Sequence, residues 1–241
     1  MKISRIRDLS VIETSPRLVL ATDSAGGIGA KEHDVLQVDP KVTGFFLGRV
    51  PLVELLCLGA EPISYVVISC NEMEPTGRGV LAGVRQAFEP FSLAQEHENG
   101  TTEENMATSM TAAGITVLGT LGSDWAEHEA KPGDWLYLAG WPSVGQQVLD
   151  HPERLISFDD IISLRQDISV GVMVPLGSGG ISNELKQLGF NLNEDRPDLP
   201  LDLSGGPATA IIFSSPEKRS DWPVETEVML LGRLIKTQKN D

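Results

Sequence analysis

The sequence predicts an α/β-type fold (α+β) in two domains. Short apolar runs rich in β-branched residues alternate with helix-like stretches, and glycine-rich turns separate them, which is the pattern of mixed α/β proteins. The composition turns polar in "SDWAEHEAKPGD", residues 123–134, so we place a domain boundary there. We therefore expect a first domain over residues 1–122 and a second over residues 130–241. A chain of 241 residues, 41% of them hydrophobic, can build a core in each.

Apolar runs define the expected elements of the first domain. "RLVLATD" predicts a strand that ends at Asp23, and the glycines of "SAGGIGAKEHD" interrupt regular structure after it. A helix is predicted to begin near Arg49 and Val50. Pro51 suits its first turn and Gly59 its end. The later elements are a buried strand, a polar loop, a helix and another strand, in "ISYVVISC", "NEMEPTGRG", "VLAGVRQAFEPF" and "AAGITVLGTLG".

The second domain shows the same alternation. A strand is expected in "DWLYLAGW", followed by helices in "PSVGQQVLDHPERL" and "SFDDIISLRQDI". "VGVMVPLGSGGISNELKQLGF" predicts a strand, a glycine loop and a helix, and "DRPDLPLDLSGGP" predicts an irregular loop. "ATAIIFSSP" and "VETEVMLLGRL" predict two closing strands.

Charge and cysteine content exclude several classes of partner. The net charge of −15 argues against nucleic acid and against an acidic membrane surface, although local basic groups or metal ions can still hold a phosphorylated ligand. Cys57 and Cys70 form no CxxC pair and no Cys/His cluster, so no zinc site is indicated. The N-terminus resembles no signal peptide, and no window reaches the ~20 apolar residues of a membrane span. We expect a soluble, cytoplasmic protein.

Acidic residues in three polar loops are the candidate functional groups. Asp23 lies beside a glycine-rich segment, Glu72 and Glu74 flank a methionine before "PTG", and Glu103 and Glu104 lie in "GTTEEN". Adjacent carboxylates near a buried strand are costly to desolvate without partners, and a hard cation such as Mg²⁺ is one partner. A solvated turn satisfied by Thr and Asn side chains is the alternative. The chain contains no P-loop, GxGxxG, GxSxG or HExxH motif.

Taken in order, these loops resemble the ATP-binding superfamily of aminoimidazole ribonucleotide synthetase, thiamine-monophosphate kinase, selenophosphate synthetase and a hydrogenase maturation enzyme. The matching stretches are "LATDSAGGIGAKEHD", "VPLVELLCLGAEP", "TTEEN" with "GITVLG", "KPGDWLYLAG" and "SGGPATAIIF", which together extend over nearly the whole chain. The resemblance implies a two-subdomain fold. Its N-terminal sheet would pair with that of a second copy in a homodimer, and its C-terminal α/β domain would be shortened.

The resemblance also implies Mg²⁺ and ATP as ligands. Asp23, Glu54 and either Glu103 or Glu104 stand at the positions that carry the metal ions, with glutamates where aspartates are common. An exposed acid at a helix N-terminus is the alternative for Glu54. Arg49 could contact phosphate or simply begin a helix. The residues expected to bind the nucleotide are Gly26, Gly27, Gly29, Lys31, Arg49, Thr102 and Asn105.

The string "EMEPTGRGVLAGV", together with "TEEN", resembles the α-ribazole kinase subgroup. That resemblance implies transfer of the γ-phosphoryl group to a nucleoside-like hydroxyl in salvage of the lower ligand of cobalamin. Asp23, Glu72 and Glu74 would be the catalytic residues, the two glutamates acting on ribose hydroxyls or on a further Mg²⁺. The alternatives are thiamine-monophosphate kinase, another ATP-dependent enzyme of the superfamily, or a non-catalytic nucleotide-binding regulator. No cysteine precedes Cys57, which argues against selenophosphate synthesis.

Overall fold

The structure is a computed structural model that describes residues 2–193 and 198–237. The chain forms two compact units, which divide after Trp125. This division lies inside the polar stretch at residues 123–134. The short segment Leu56–Gly59 belongs to the second unit. In the described part of the chain, no helix is both long enough and apolar enough to cross a membrane.

The first unit contains a six-stranded sheet of order β1-β2-β3-β8-β6-β7. Its pairs are antiparallel except for β6 and β7, which are parallel, so the mixed fold expected from the sequence is confirmed in its α+β form. In chain order its elements are β1 (Lys2–Ile6), β2 (Leu9–Glu13), β3 (Arg17–Gly26), β4 (Ile28–Gly29), β5 (Leu36–Gln37), α1 (Pro40–Leu58), β6 (Glu61–Ser69), α2 (Arg78–Phe88), β7 (Glu98–Thr101) and β8 (Ala112–Leu121).

One face of this sheet packs on helices. In β8, alternate residues are buried, as a strand with one face against the core requires. The Tyr65 ring of β6 lies 4.3 Å from the Phe88 ring of α2, which places α2 on that face. The two helices approach closely at glycine: a Cβ atom on Gly83 would lie 1.9 Å from the Lys41 carbonyl oxygen. The opposite face leaves apolar side chains of Ile3, Val66 and Ile68 exposed.

The predicted start of α1 is wrong. The helix begins at Pro40 and not near Arg49, so Pro51 lies in its interior. The amide N–H of Lys41 donates to Asp39 Oδ1 (2.8 Å), so the acid before Pro40 caps the helix. The pair Asp39-Pro40 is therefore the sequence signal for the start of this helix. Pro51 has no amide N–H, so one backbone hydrogen bond is missing inside this helix.

The second unit contains a five-stranded antiparallel sheet of order β10-β12-β9-β13-β11. Its elements are β9 (Trp135–Gly140), α3 (Gln146–Asp150), α4 (Phe158–Gln166), β10 (Met173–Pro175), α5 (Gly180–Leu188), β11 (Phe190–Leu192), β12 (Ala210–Ser215) and β13 (Val228–Lys236). The long helix predicted for "PSVGQQVLDHPERL" is only five residues, α3, followed by a 3₁₀ turn at Pro152–Arg154. A proline at position 152 ends α3 because it cannot continue the hydrogen-bond ladder.

Candidate functional site

The three acidic loops expected from the sequence lie at one edge of the six-stranded sheet. β3 ends at Gly26, which pairs with Ala112, the first residue of β8. β6 ends at Ser69, which pairs with the next residue of β8. The segments that follow β3, follow β6 and precede β8 therefore start from neighbouring points. We name them loop A (residues 27–39), loop B (residues 70–77) and loop C (residues 102–111).

Asp34 holds loop A against the end of loop C. Its carboxylate accepts hydrogen bonds from the amide N–H of Thr111 (2.8 Å), from Thr111 Oγ1 (2.7 Å) and from the amide N–H of Lys31 (2.8 Å). Burial raises the pKa of Asp34, but the hydrogen bonds from Thr111 and Lys31 outweigh it and hold the pKa below its usual range. Gly29 permits this approach, because a Cβ atom there would lie 2.2 Å from Thr111 Oγ1.

Lys31 connects loop A to both other loops. Its Nζ atom donates to Glu72 Oε2 in loop B (2.8 Å) and to the carbonyl oxygen of Thr108 in loop C (3.0 Å). Thr76 Oγ1 donates to the other oxygen of Glu72 (2.6 Å). Burial raises the pKa of Glu72, but the hydrogen bonds from Lys31 and Thr76 lower it to about 2. Glu72 is therefore ionised at neutral pH and is a weak proton acceptor there.

Glu74 differs from Glu72 in its surroundings. It is exposed and forms an ion pair with Arg78 at the start of α2. The hydrogen bond from Arg78 holds the pKa of Glu74 below its usual range. Glu74 can accept a hydrogen bond from a ligand only in competition with this guanidinium.

The adjacent carboxylates of loop C have different partners. Glu104 Oε1 accepts from the amide N–H of Met73 in loop B (2.8 Å) and from Thr102 Oγ1 (2.8 Å). Glu103 Oε1 accepts from the amide N–H groups of Asn105 and of the residue after it (2.7 and 3.1 Å). These two amides hold the pKa of Glu103 below its usual range. Glu104 thus joins two loops, whereas Glu103 stabilises a turn within its own loop.

The strand expected to end at Asp23 continues to Gly26, because residues 24–26 still pair with β8. Asp23 therefore lies inside β3, paired with Ile115 and on the face of the sheet that carries the buried side chains. Burial raises the pKa of Asp23 to about 6, and a hydrogen bond from the Ser24 amide opposes the rise only in part. Such a carboxylate is stabilised by any cation brought next to it. Of the acids expected to bind metal, Asp23 fits an added cation best.

Glu54 and Arg49 both lie in the interior of α1. Glu54 Oε2 lies 3.4 Å from Arg7 Nη1, and both side chains are largely buried. Arg49 is almost fully buried. The alternative readings of these two residues, an exposed acid and an arginine at a helix start, are wrong because the helix begins at Pro40. Glu54 already has a cationic neighbour in this structure.

The glycines of β3 and loop A differ in exposure, since Gly26 is exposed and Gly27 is buried. A Cβ atom at Gly26 would meet no atom within 4 Å. Gly27 has φ +72°, a conformation that favours glycine, and its amide donates to the Thr111 carbonyl oxygen (2.8 Å). The side chains of Val35 and Met110 border Gly27 and are exposed. Gly26 is exposed, so a ligand can approach its backbone directly, whereas Gly27 is buried and its amide and carbonyl groups are already hydrogen-bonded.

The structure brings some predicted residues together and leaves others apart. Lys31 contacts Glu72, and Glu104 contacts loop B. Within residues 2–193 and 198–237, no three carboxylate, imidazole or thiol side chains lie close enough together to hold a metal ion. Asp23, Glu54 and the loop C glutamates are therefore not preassembled as a metal site by this chain alone.

Sequence reasoning missed three residues that organise the site. Asp34, Asn71 and Thr111 are buried and hydrogen-bonded between the loops. Asp34 lies inside the quoted motif "SAGGIGAKEHD", and Asn71 directly follows the strand "ISYVVISC". A polar residue next to a buried strand was the available signal, but a partner up to 77 positions away in the chain leaves no local pattern.

Comparison with known proteins identifies the fold. No family model matches the chain, and no curated protein matches its sequence. Among solved structures, thiamine monophosphate kinase from Aquifex aeolicus superposes with a TM-score of 0.68 at 14% identity, covering 97% of this chain and 90% of that one. Hydrogenase maturation protein HypE in complex with ATP gives 0.66 at 15% identity, covering 97% and 81%. AaThiL complexed with AMPPCP and TMP gives 0.65 at 14% identity, covering 96% and 85%. At these identities the likeness shows a shared fold.

Proposed function

We propose that this protein is an ATP- and Mg²⁺-dependent small-molecule kinase. One observation carries the proposal: three loops with ionised or buried acids and one lysine converge at one edge of the sheet, next to the exposed Gly26. The proteins that share the fold include a thiamine monophosphate kinase and HypE, and structures of the fold were solved with ATP or with AMPPCP and TMP. The superfamily resemblance of the sequence points to the same class.

The residues at the edge of the sheet where loops A, B and C lie suit a magnesium nucleotide. Asp23 offers a poorly solvated carboxylate, and the exposed backbone at Gly26 lets phosphate oxygens approach the chain. Lys31 holds a positive charge beside Thr108 and Glu72. Mg²⁺ in such sites is commonly bound by one or two carboxylates together with substrate phosphates, so a complete protein cage is not required. When bound, the metal would neutralise charge on the triphosphate.

The contacts of Glu72 assign it a positioning role within this proposal. Its pKa of about 2 makes it a poor general base, and its hydrogen bond to Lys31 fixes the lysine between loops B and C. Glu74 is exposed and remains the carboxylate that we propose to contact a ribose hydroxyl. A loose transition state for phosphoryl transfer demands little of a base, so positioning and electrostatics supply the rate.

For the phosphoryl acceptor, α-ribazole is our choice, because the "EMEPTGRGVLAGV" string of loop B and α2 resembles that kinase subgroup. The experiment is an ATP-consumption assay with α-ribazole, with thiamine monophosphate and without acceptor. Consumption only with α-ribazole supports the proposal in full. Consumption only with thiamine monophosphate would reassign the acceptor, and ATP binding without consumption would indicate a nucleotide-binding regulator.

We also propose that the protein is a homodimer that pairs through the six-stranded sheet. Val66 and Ile68 of β6 are exposed on the face of the sheet opposite the helices, and Ile3 is exposed on the same face at β1, the far side of the sheet. Exposed apolar side chains on a sheet face are typical of interfaces. Sedimentation at micromolar concentration tests this proposal, and a monomer there would contradict it. Val66→Glu is expected to shift a dimer toward monomer, because it places a charge on that face.

A further inference from the structure

Asn71 lies two residues after the end of β6, and its side chain is completely buried. Each polar atom of its carboxamide has a partner. Nδ2 donates to Thr108 Oγ1 (2.7 Å) and to the Met110 carbonyl oxygen (2.8 Å), and Oδ1 accepts from the Ala112 amide N–H (2.8 Å). All of these partners lie in loop C or at the first residue of β8. A buried carboxamide with this many hydrogen bonds fixes its partners closely, because any displacement leaves buried polar groups unpaired.

The main chain of Asn71 holds the other end of loop C. Its carbonyl oxygen accepts from the Glu103 amide N–H (3.0 Å). One residue therefore contacts the segment near its beginning, at Glu103, and at its end, at Ala112. The residues between them, 104–111, form neither helix nor strand. In the described part of the chain, Asn71 is thus the one residue of loop B that we find bonded to both ends of this irregular segment, in addition to the contacts that Asp34 and Lys31 make with it.

The charged groups of the site depend on the same segment. Glu103 and Glu104 are both in loop C, and each carboxylate is directed by hydrogen bonds from backbone amides. The hydroxyl of Thr108 accepts from Asn71, and the carbonyl oxygen of Thr108 accepts from Lys31 Nζ. A continuous chain of hydrogen bonds therefore leads from Asn71 through Thr108 and Lys31 to Glu72 in loop B.

We infer that Asn71 is a positioning residue that fixes loop C, and through it Glu103, Glu104 and Lys31, for binding of the magnesium nucleotide. Asn71 itself need not touch the ligand. The effect on nucleotide binding rests on the proposed function. The anchoring of loop C does not, because it can be measured in the ligand-free protein. Mutation of residues that orient metal ligands through hydrogen bonds typically lowers metal affinity or activity about 10–100-fold.

Asn71→Asp is the direct test. The carboxylate keeps the size of the side chain and an acceptor for the Ala112 amide, but it loses both donors and places an oxygen against the Met110 carbonyl oxygen. Thr108→Val is a milder second variant, because it removes only the acceptor for Nδ2 and keeps the shape of the side chain. Asn99→Asp is the matched control: Asn99 is an exposed residue of β7 in the same unit, and an aspartate keeps its hydrogen bond with the Gly100 amide.

Hydrogen exchange in the ligand-free protein gives the first readout. We expect the amides of Glu103 and Ala112 to exchange at least about tenfold faster in Asn71→Asp, while Val117 in the middle of β8 keeps its protection. Thr108→Val should accelerate exchange within loop C to a smaller extent. Asn99→Asp should leave these amides unchanged. Unchanged exchange in both Asn71→Asp and Thr108→Val would overturn the inference.

The magnesium dependence of ATP binding and turnover gives the second readout, which a purely structural role would not move. We expect Asn71→Asp to raise the Mg²⁺ concentration for half-maximal activity about 10–100-fold, and Asn99→Asp to leave it unchanged. Faster exchange with an unchanged magnesium dependence would overturn the positioning role. Failure of the wild-type protein to bind Mg²⁺·ATP would instead overturn the proposed function and this role with it, leaving hydrogen exchange to decide the anchoring alone.

If Asn71→Asp does not fold, hydrogen exchange and the magnesium dependence are both measured on Thr108→Val instead. A higher magnesium requirement together with faster exchange in loop C would support the inference. Wild-type values for both would overturn it.

Discussion

Replacing Asp34 with alanine should destabilise the first unit strongly. Asp34 is 7% exposed, and its carboxylate accepts three hydrogen bonds, two from Thr111 and one from the Lys31 amide. A hydrogen bond to a charged group contributes about 1.5–3 kcal/mol, and three that share one carboxylate are not additive. We therefore expect the Asp34→Ala variant to lose about 3–5 kcal/mol of unfolding free energy. Asp34→Asn keeps one acceptor oxygen and should lose about 1–2 kcal/mol.

The pH dependence of this loss has a definite sign. The folded-state pKa of Asp34 lies below its ordinary value, so its stabilisation is present above the unfolded pKa of about 3.9 and is lost as pH falls through the folded pKa. The difference in stability between wild type and Asp34→Asn should therefore stay constant from about pH 5 to 8. It should shrink below about pH 4.

Urea unfolding followed by circular dichroism measures these differences. Hydrogen exchange of peptides from β3 and β8 assigns the transition to the first unit. Glu32→Gln is the control, since Glu32 is an exposed acid two positions away in the same loop. A loss below about 1 kcal/mol for Asp34→Ala, or a loss equal to that of the control, would refute the reasoning that buried hydrogen bonds hold loop A to loop C.

Three further predictions follow from the same structure. Glu104→Gln should disturb the contact of loops B and C and raise the magnesium requirement of ATP binding, and Glu103→Gln should change this requirement by a different factor. Calorimetric titrations that give wild-type values for both variants would mean that neither carboxylate acts on the ligand. Gly83→Ala should lower the midpoint of thermal unfolding of the first unit, since the new Cβ atom would lie 1.9 Å from the Lys41 carbonyl oxygen and overpacking costs about 1–3 kcal/mol. An unchanged midpoint in scanning calorimetry would contradict the close approach of α1 and α2. Phosphoryl transfer from a chiral thiophosphate nucleotide should invert configuration at phosphorus, because transfer is proposed to be direct, and retention would indicate a phosphoenzyme.

Much of the fold could be predicted because its signals are local. The alternation of "AAGITVLGTLG" and the apolar run "ISYVVISC" correspond to β8 and β6, and "VLAGVRQAFEPF" corresponds to most of α2. The strand β7, "ENGT", gave no hydrophobic signal because it is a short polar strand at the edge of the sheet. The sequence misplaces the start of α1 because both Pro40 and Pro51 fit a first turn, and the structure has Pro40 in that position.

The candidate site was predictable as three loops but not as a set of contacts. Lys31 and Glu72 were each singled out, yet their ion pair joins positions 41 residues apart, and only the folded sheet brings them together. Glu54 was expected to hold metal from its place in a motif, but the structure gives it Arg7 as a neighbour, 47 positions away. Buried polar anchors such as Asn71 carry no periodic signal, so their importance appears only in the hydrogen bonds.

Calorimetric titration of Mg²⁺·ATP into wild type, Asp23→Asn and Asp124→Asn tests the central proposal most directly. Asp23 is the poorly solvated carboxylate near loops A and C, whereas Asp124 is an exposed acid of the same unit. Both variants therefore lose one negative charge, but only Asp23→Asn alters the proposed site. The proposal predicts saturable binding to wild type and to Asp124→Asn, and binding weakened by more than about tenfold in Asp23→Asn. Equal affinity of all three proteins, or no binding to wild type, would contradict it.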